Sequence, residues 1–180
     1  LVEFTLFSKE LLNENEYEIE IKKYLKALGL NNYEINLKEN GIIPMTCFPF
    51  YNANTKNIIN IGTAGGWTKP STGYTFRFID KYSDKIIANV KSNRSFKHFN
   101  LKTRFWFYDL IFIDVLYNNN HLGSSIFENL FKYNKFKNIF RFLDNESSFS
   151  EDLKIISSMP KWVFIKSFFK NLPKIISTYL

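Results

Sequence analysis

Short runs of β-branched and aromatic residues fill the first third of the chain, and runs of this kind favour strands. They predict four strands, at residues 1–7, 33–38, 42–45 and 58–61. Between the first two runs, acidic residues follow Asn13 and apolar residues recur on one face. This pattern predicts a helix that ends at Gly29, because acids suit a helix N-terminus and glycine commonly follows the last turn.

From Phe76 onward, apolar residues recur at helical spacing. The predicted helices are 76–90, 104–117, 124–133, 136–142, one that begins at Ser150 and ends before Pro160, and 162–172. The segment 104–117 is apolar nearly all round, interrupted by Asp109 and Asp114. It is too short and too charged to span a bilayer, which takes about 20 apolar residues. We therefore expect a buried helix there.

A glycine-rich turn follows the run at 58–61. It contains Gly62, Gly65 and Gly66, and Pro70 stiffens it. A strand that leads through glycines into a helical segment is typical of a phosphate or cofactor loop. Glycine lets the backbone come close to a ligand, and the amides at a helix N-terminus face negative charge. A plain structural turn is the alternative, because so short a motif specifies function loosely.

The charge of the chain suggests an anionic partner. The formal net charge is +7, from 24 basic and 17 acidic residues, and the basic residues gather after Lys81. Such an excess suits nucleic acid or an anionic membrane surface. The 20 phenylalanines lie beside lysines along predicted helices. That arrangement favours a packed core with a membrane-facing surface over a base-stacking platform, so we expect a membrane partner and no nucleic acid.

Few residues are available for metal binding or disulfides. Cys47 is the one cysteine, and there are two histidines. A single cysteine forms no internal disulfide and no thiolate cluster for zinc, so we expect no metal site. The cysteine usage fits a reducing compartment, and with the basic, aromatic half it predicts a cytoplasmic, peripheral membrane protein.

Three segments, in this order, resemble the lycopene cyclase family, the flavoproteins that close the end rings of carotenoids. They are 1–7 (LVEFTLF), 38–45 (KENGIIPM) and 61–74 (IGTAGGWTKPSTGY). The third is the specific one, because it is similar to the family motif of spaced glycines followed by Pro, Ser or Thr, Thr, Gly and Tyr. The helical second half also resembles the C-terminal portion of the family.

The resemblance implies an α/β fold, which as a fragment would be α+β. It would be the second half of an FAD-dependent Rossmann-like flavoprotein of the monooxygenase and reductase group, with a helical C-terminal part. We expect sheet strands and the second FAD loop in 1–95, and the helical region in 96–180. The N-terminal dinucleotide-binding portion is expected upstream, because no Gly-x-Gly-x-x-Gly follows a strand here.

The family activity implied is an isomerase of the intramolecular lyase type. It closes lycopene end groups into ionone rings with reduced FAD, and NAD(P)H is the electron donor. The reaction protonates the end group, closes the ring through a carbocation and loses a proton, without net redox change. The resemblance makes Glu3 and Glu39 the catalytic candidates, and their alternatives are an edge-strand acid and a turn residue. Trp67 is the candidate substrate contact, or it packs.

The implied cofactor-binding residues all lie in the third segment. They are Gly62, Thr63, Ala64, Gly65, Gly66, Pro70, Thr72, Gly73 and Tyr74. Two positions depart from the family pattern. Lys69 stands where many relatives have histidine, and Phe4 replaces the second acid of the first motif, which leaves Glu3 as its carboxylate.

Two other functions fit the sequence. One is another FAD-dependent reductase or monooxygenase of prenyl lipids, in which the flavin does net redox chemistry. The other is a non-enzymatic helical protein of the membrane surface. For any of these, the aromatic and lysine residues of 162–174 predict an interfacial helix, with Ile165 expected to pack and the lysines to dock.

Overall fold

A computed structural model describes residues 1–99 and 103–179, with side chains as far as residue 174. The chain divides into two compact units, Leu1–Ile43 and Pro44–Leu180. The glycine turn and the helices that follow it therefore belong to one unit.

The described residues form helices and short 3₁₀ turns. The helices are α1 (Glu14–Ala27), α2 (Phe76–Lys91), α3 (Arg104–Asn118), α4 (Gly123–Tyr133), α5 (Phe136–Leu143), α6 (Phe149–Ser157) and α7 (Lys161–Tyr179). The 3₁₀ turns are Phe50–Ala53, Gly62–Gly65 and Asn120–Leu122. The predicted helices are confirmed. For α6 the N-cap is Ser148 rather than Ser150, and its hydroxyl accepts the Glu151 N–H while Glu151 accepts the Ser148 N–H.

The expected α/β fold is wrong: within the described ranges the chain is helical and contains no strand. The four runs predicted as strands, and with them the Rossmann-like half, are replaced by irregular chain. An alternating or β-branched run shows only that a segment suits a sheet face. Forming a strand also requires a neighbour that takes up its backbone hydrogen bonds.

The run at 58–61 shows how these hydrogen bonds are made instead. Ile58 donates its N–H to Thr55 Oγ1 at 3.1 Å and accepts the Thr55 N–H at 2.9 Å. Asn60 donates its N–H to Asn54 Oδ1 at 2.9 Å. The preceding loop therefore provides the partners that a sheet would have provided.

The first unit is organised around α1. Asn13 caps the helix by accepting the Glu16 N–H, and Glu16 accepts the Asn13 N–H at 2.8 Å. Glu18 pairs with Lys38 and Lys22, and the Lys38 hydrogen bond contributes most to lowering the pKa of Glu18. This pair ties the segment after α1 back to the helix.

In the second unit, α3 contacts several other elements through the charged residues that interrupt its apolar sequence. At its N-terminus Arg104 Nε donates to the fully buried Asp152 of α6 at 2.8 Å. Arg104 also donates to the carbonyl of Ser147, whose hydroxyl donates to Asp152. The hydrogen bond to Asp152 raises the pKa of Arg104, so the guanidinium keeps its charge. The network fixes the start of α6 against α3.

One face of α3 packs on α7 along its length. Phe107 lies against Phe168, with ring centroids 5.6 Å apart. Asp114 accepts the Ser167 hydroxyl at 2.8 Å and the Lys170 ammonium at 2.5 Å. Burial by itself raises the pKa of Asp114, but Lys170 and Ser167 together lower it below the usual range. The carboxylate form of Asp114 therefore stabilises the α3–α7 contact.

We expect Asp114→Asn to lower the free energy of unfolding by about 1 kcal/mol at pH 7. Because the folded-state pKa of Asp114 is lowered, this contribution is present above the unfolded-state pKa and is lost as pH falls through the folded-state pKa. Thermal unfolding at pH 7 and near pH 3 measures the difference. Asp84→Asn, at an exposed site on α2, is the matched control. An equal loss at both pH values would contradict the prediction.

Candidate functional site

The glycine turn is closed mainly by its own backbone. The segment Gly62–Gly65 forms one 3₁₀ turn, and Gly66 ends it with φ of +70°. Three amides donate back into the turn at 3.0 to 3.1 Å: Gly65 to Ile61, Gly66 to Thr63, and Trp67 to Gly62. These three N–H groups are therefore already used within the chain.

Two of the glycines are required by close packing. A Cβ at position 65 would lie 2.2 Å from the carbonyl oxygen of Asn60. A Cβ at position 66 would lie 3.0 Å from Cδ2 of Phe50, and the positive φ there disfavours any side chain. The turn thus lies directly against the 50–60 loop.

The first amides of the turn remain available. The N–H groups of Gly62 and Thr63 precede the first i→i+3 hydrogen bond of this 3₁₀ turn, so neither is used within it. A Cβ built at Gly62 meets nothing within 4 Å, so the space beside this backbone is open. Free N–H groups of this kind suit an anionic or carbonyl-bearing ligand.

A groove adjoins the available amides. It is a cavity of about 350 Å³ that is open to solvent. Its lining residues are all uncharged: Phe48, Pro49, Phe50, Asn52, Ala53, Asn60 and Ala64. The rings of Phe48 and Phe50 meet edge to face, with centroids 4.9 Å apart. The groove and the turn share Ala64, so a ligand in one lies next to a ligand on the other.

Trp67 belongs to the core. Its side chain is 4% exposed and packs with Phe78 and Phe99. Tyr82 also meets the indole, with ring centroids 5.2 Å apart. This burial favours packing, rather than substrate contact, as the role of Trp67.

The second half of the motif forms a separate tight turn. Lys69 donates its N–H to the Tyr74 carbonyl, and its own carbonyl accepts the Gly73 N–H, each at 2.8 Å. Thr72 and Tyr74 are exposed, and Pro70 is half-buried. Among the predicted cofactor residues, Pro70, Thr72 and Tyr74 belong to the 69–74 turn, whereas Gly62 and Thr63 carry the available amides.

The sequence reading missed a buried polar cluster centred on Lys69. The Lys69 ammonium lies 3.1 Å from both carboxylate oxygens of Asp109, and the two side chains are 3% and 6% exposed. It also donates to Asn145 Oδ1 at 2.9 Å, and Asn145 has a φ of +60°. Lys69 thus connects the 69–74 turn to α3 and to the corner between α5 and α6.

The buried charges of this cluster compensate each other. Burial raises the pKa of Asp109, and the Lys69 charge and the Ser71 hydrogen bond oppose that shift. A charge within an apolar helix is rarely buried without a partner, so Asp109 in the sequence was a signal that a cation lay nearby. Lys69, a lysine in a glycine- and proline-rich turn, was that cation.

The two candidate carboxylates lie in the first unit. Glu3 is exposed and accepts the Thr5 hydroxyl at 2.6 Å. Glu39 is also exposed. Their assignment as catalytic residues stays a prediction.

Neither a metal centre nor a membrane-spanning helix is found in the part of the chain that the structure describes. No three His, Cys, Asp or Glu residues there are grouped so that they could hold a metal ion. No helix there combines the length and apolar character needed to cross a bilayer.

Comparison with known proteins gives one match. The family model described as lycopene cyclase protein matches residues 1–168, which contain both candidate carboxylates, the glycine turn and most of the helices. Searches of curated proteins and of solved structures each found no match.

We expect Asp109→Leu to destabilise the protein by about 3–5 kcal/mol, because it leaves the Lys69 ammonium buried without its carboxylate. The double variant Lys69→Met, Asp109→Leu should recover most of that loss, because two apolar side chains replace the ion pair. Urea unfolding measures both variants. Asp80→Asn, which removes the exposed Arg77–Asp80 pair, should cost about 0.5 kcal/mol or less. Equal destabilisation in the single and double variants would contradict the importance of the pair.

Proposed function

Because the chain belongs to the lycopene cyclase protein family, we propose that it closes the end groups of a linear carotenoid, lycopene, into ionone rings. The family match over residues 1–168 is the observation that carries this proposal. The uncharged groove beside open backbone amides supports it, because the site pairs an apolar surface with groups that suit a nucleotide cofactor. In this proposal the protein is an isomerase.

The proposed cofactor is FAD, held at the start of the glycine turn. The amides of Gly62 and Thr63 would hold it, whereas those of Gly65 and Gly66 hold the turn together. When bound in its reduced form, with NAD(P)H as electron donor, the flavin supplies a negative charge that stabilises a neighbouring carbocation. The chain's own contribution is to fix these amides, through the packing of Gly65 on Asn60 and of Gly66 on Phe50.

Glu3 is the proposed proton donor. Its carboxyl group protonates the end group, the ring closes through a carbocation, and a proton is then lost, so the reaction has no net redox change. The Thr5 hydroxyl holds Oε1 of Glu3, which leaves Oε2 for proton transfer. Glu39 is the proposed second carboxylate, as the base that removes the final proton.

One face of α7 is proposed to rest on a membrane surface. Trp162, Ile165 and Phe169 lie on one side of the helix, and Trp162 is 80% exposed. The opposite side packs on α3 through Phe164, Ser167 and Phe168. Ile165 is thus on the exposed side rather than packed as the sequence indicated. Exposed Lys161 and Lys166 flank this face, a composition that suits anionic lipid headgroups.

We expect Glu3→Gln to lower the rate of lycopene cyclisation at least about 100-fold, because the amide cannot donate the proton. Bound FAD, measured by its absorbance, should not change. Glu10→Gln, at another exposed acid of the first unit, is the matched control. Product formation by Glu3→Gln at the wild-type rate would remove Glu3 from the mechanism.

Measuring reductant consumption beside product formation distinguishes the alternative functions. A cyclase consumes reductant only to prime the flavin, whereas a prenyl-lipid reductase or monooxygenase consumes it in proportion to product. A purified protein that takes up no FAD and converts no lycopene would favour the non-enzymatic membrane-surface protein.

We expect the double variant Trp162→Ser, Phe169→Ser to weaken binding to vesicles that contain anionic lipid by about tenfold or more, because two exposed aromatic side chains are lost. Co-sedimentation with vesicles measures this. Phe76→Ser, at an exposed position of α2, is the control. Unchanged binding of the double variant would contradict the assignment of this face.

A further inference from the structure

We propose that exposed aromatic side chains of α4 and α5, together with the lysines around them, bind the surface of a bilayer that contains anionic lipid. This inference rests on the membrane association in the proposed function and adds a surface on helices other than α7. The aromatic residues of this surface, called here the α4–α5 face, are each at least 37% exposed: Phe127, Phe131, Tyr133, Phe136 and Phe140. Single exposed aromatic residues are common, whereas a contiguous group marks an interaction surface.

The phenylalanines of the α4–α5 face are neighbours. Phe127 and Phe131 are four residues apart on α4, as are Phe136 and Phe140 on α5, so each pair lies on one side of its helix. The rings of Phe131 and Phe136 connect the two helices, with centroids 6.0 Å apart. The four rings therefore form one strip across both helices.

Other residues provide the buried sides of these two helices. Ile126 and Leu130 of α4 and Ile139 of α5 are all 3% exposed or less. These aliphatic side chains already give each helix its contact with the core. The exposed rings of the α4–α5 face are therefore available to a partner, and covering them would remove apolar surface from water.

The strip of rings also reaches α3 and α7. Phe127 lies against Phe112 of α3, with ring centroids 5.7 Å apart, and Phe112 lies 6.1 Å from Phe164 of α7. The α4–α5 face is thus connected by aromatic packing to the helix that carries the first proposed membrane contact. All of these residues belong to the second compact unit.

The charges around the rings select the partner. Lys132, Lys135 and Lys137 are exposed, and the segment 123–143 contains four basic residues and one acid, Glu128. A second copy of the chain on the same face would bring lysines against lysines, because a twofold interface pairs a surface with itself. Anionic lipid headgroups would instead meet the lysines, while the rings enter the boundary between headgroups and acyl chains.

A polar hollow beside the α4–α5 face suits lipid headgroups. It has a volume of about 690 Å³ and is open to solvent. Its lining contains Lys135 and Lys154 with amide and hydroxyl side chains, and no carboxylate. The hollow shares Tyr133 with the face, so cationic groups and an exposed aromatic ring lie side by side. Lysine beside tyrosine is a composition typical of membrane interfaces.

The test measures co-sedimentation with vesicles of phosphatidylcholine and phosphatidylglycerol in equal amounts. We expect the double variant Phe136→Gln, Phe140→Gln to bind about tenfold more weakly or worse, because two exposed rings are lost. Phe76→Gln, Val90→Gln is the matched control, because both positions are exposed on α2. Circular dichroism checks that each variant keeps its helices.

The role of the lysines is tested by Lys135→Gln, Lys137→Gln. We expect about tenfold weaker binding to the anionic vesicles, because two cations near the surface are lost. Added salt should narrow this difference, since it screens exposed charges. The control is Lys91→Gln, Lys97→Gln, which removes two exposed lysines outside the face. An equal loss in the lysine variant and its control would assign the effect to net charge and overturn the role of this face.

A fluorophore reports the contact directly and covers the case in which a double variant fails to fold. A solvent-sensitive label on Phe140→Cys, in a Cys47→Ser background, should shift to the blue when vesicles are added. The same label on Val90→Cys should not shift. A label at position 140 that stays in water on vesicle-bound protein would overturn the proposal, as would unchanged vesicle binding of the phenylalanine variant.

The remaining outcomes separate this inference from its alternatives. Self-association that is lost in the phenylalanine variant while vesicle binding is kept would assign the face to a second copy. Binding to vesicles requires neither lycopene nor flavin, so a failure of the proposed cyclisation leaves this test intact. If only the α7 variant Trp162→Ser, Phe169→Ser loses binding, the α7 contact stands and this inference fails.

Discussion

The buried ion pair between Lys69 and Asp109 is the interaction on which the second unit depends. Both side chains are nearly inaccessible, and each would be costly to bury alone. Together they fix the 69–74 turn to α3, and the further bond to Asn145 fixes the α5–α6 corner to the same point. The glycine turn immediately precedes Lys69, so the orientation of the available amides depends on a contact made well away from them in sequence.

The charged residues of α3 share one role. Arg104, Asp109 and Asp114 each bind a different segment: the start of α6, the 69–74 turn and α7. Hydrogen-bonded charges accept only a narrow range of positions and therefore fix the rotation of the helix. A helix that is otherwise apolar all round is thus oriented by the few residues that break the pattern.

Helices could be predicted from the sequence because their signals are local. The spacing of apolar residues and the caps at Asn13 and Gly29 lie within the segments they describe. Strands could not be predicted in the same way, because a run such as 58–61 carries no information on whether a neighbouring strand exists. Here Thr55 and Asn54 take up its backbone hydrogen bonds instead. The glycine motif marked the position of the turn, but only the structure separates the amides that are available from those used within the turn.

The sequence also left the reason for the glycines undecided between ligand approach and internal packing. In the structure, both reasons apply to different glycines. Gly65 and Gly66 make room for Asn60 and Phe50, whereas Gly62 lies beside open space. No local pattern distinguishes these cases, because each depends on a segment that folds against the turn. The burial of Trp67 provides a spectroscopic handle on the same region. Its indole is enclosed directly after the turn, whereas Trp162 is largely exposed. Iodide would therefore quench the emission of Trp162 first and leave a blue-shifted signal to which Trp67 contributes, so that loosening of the turn could be followed optically without a label.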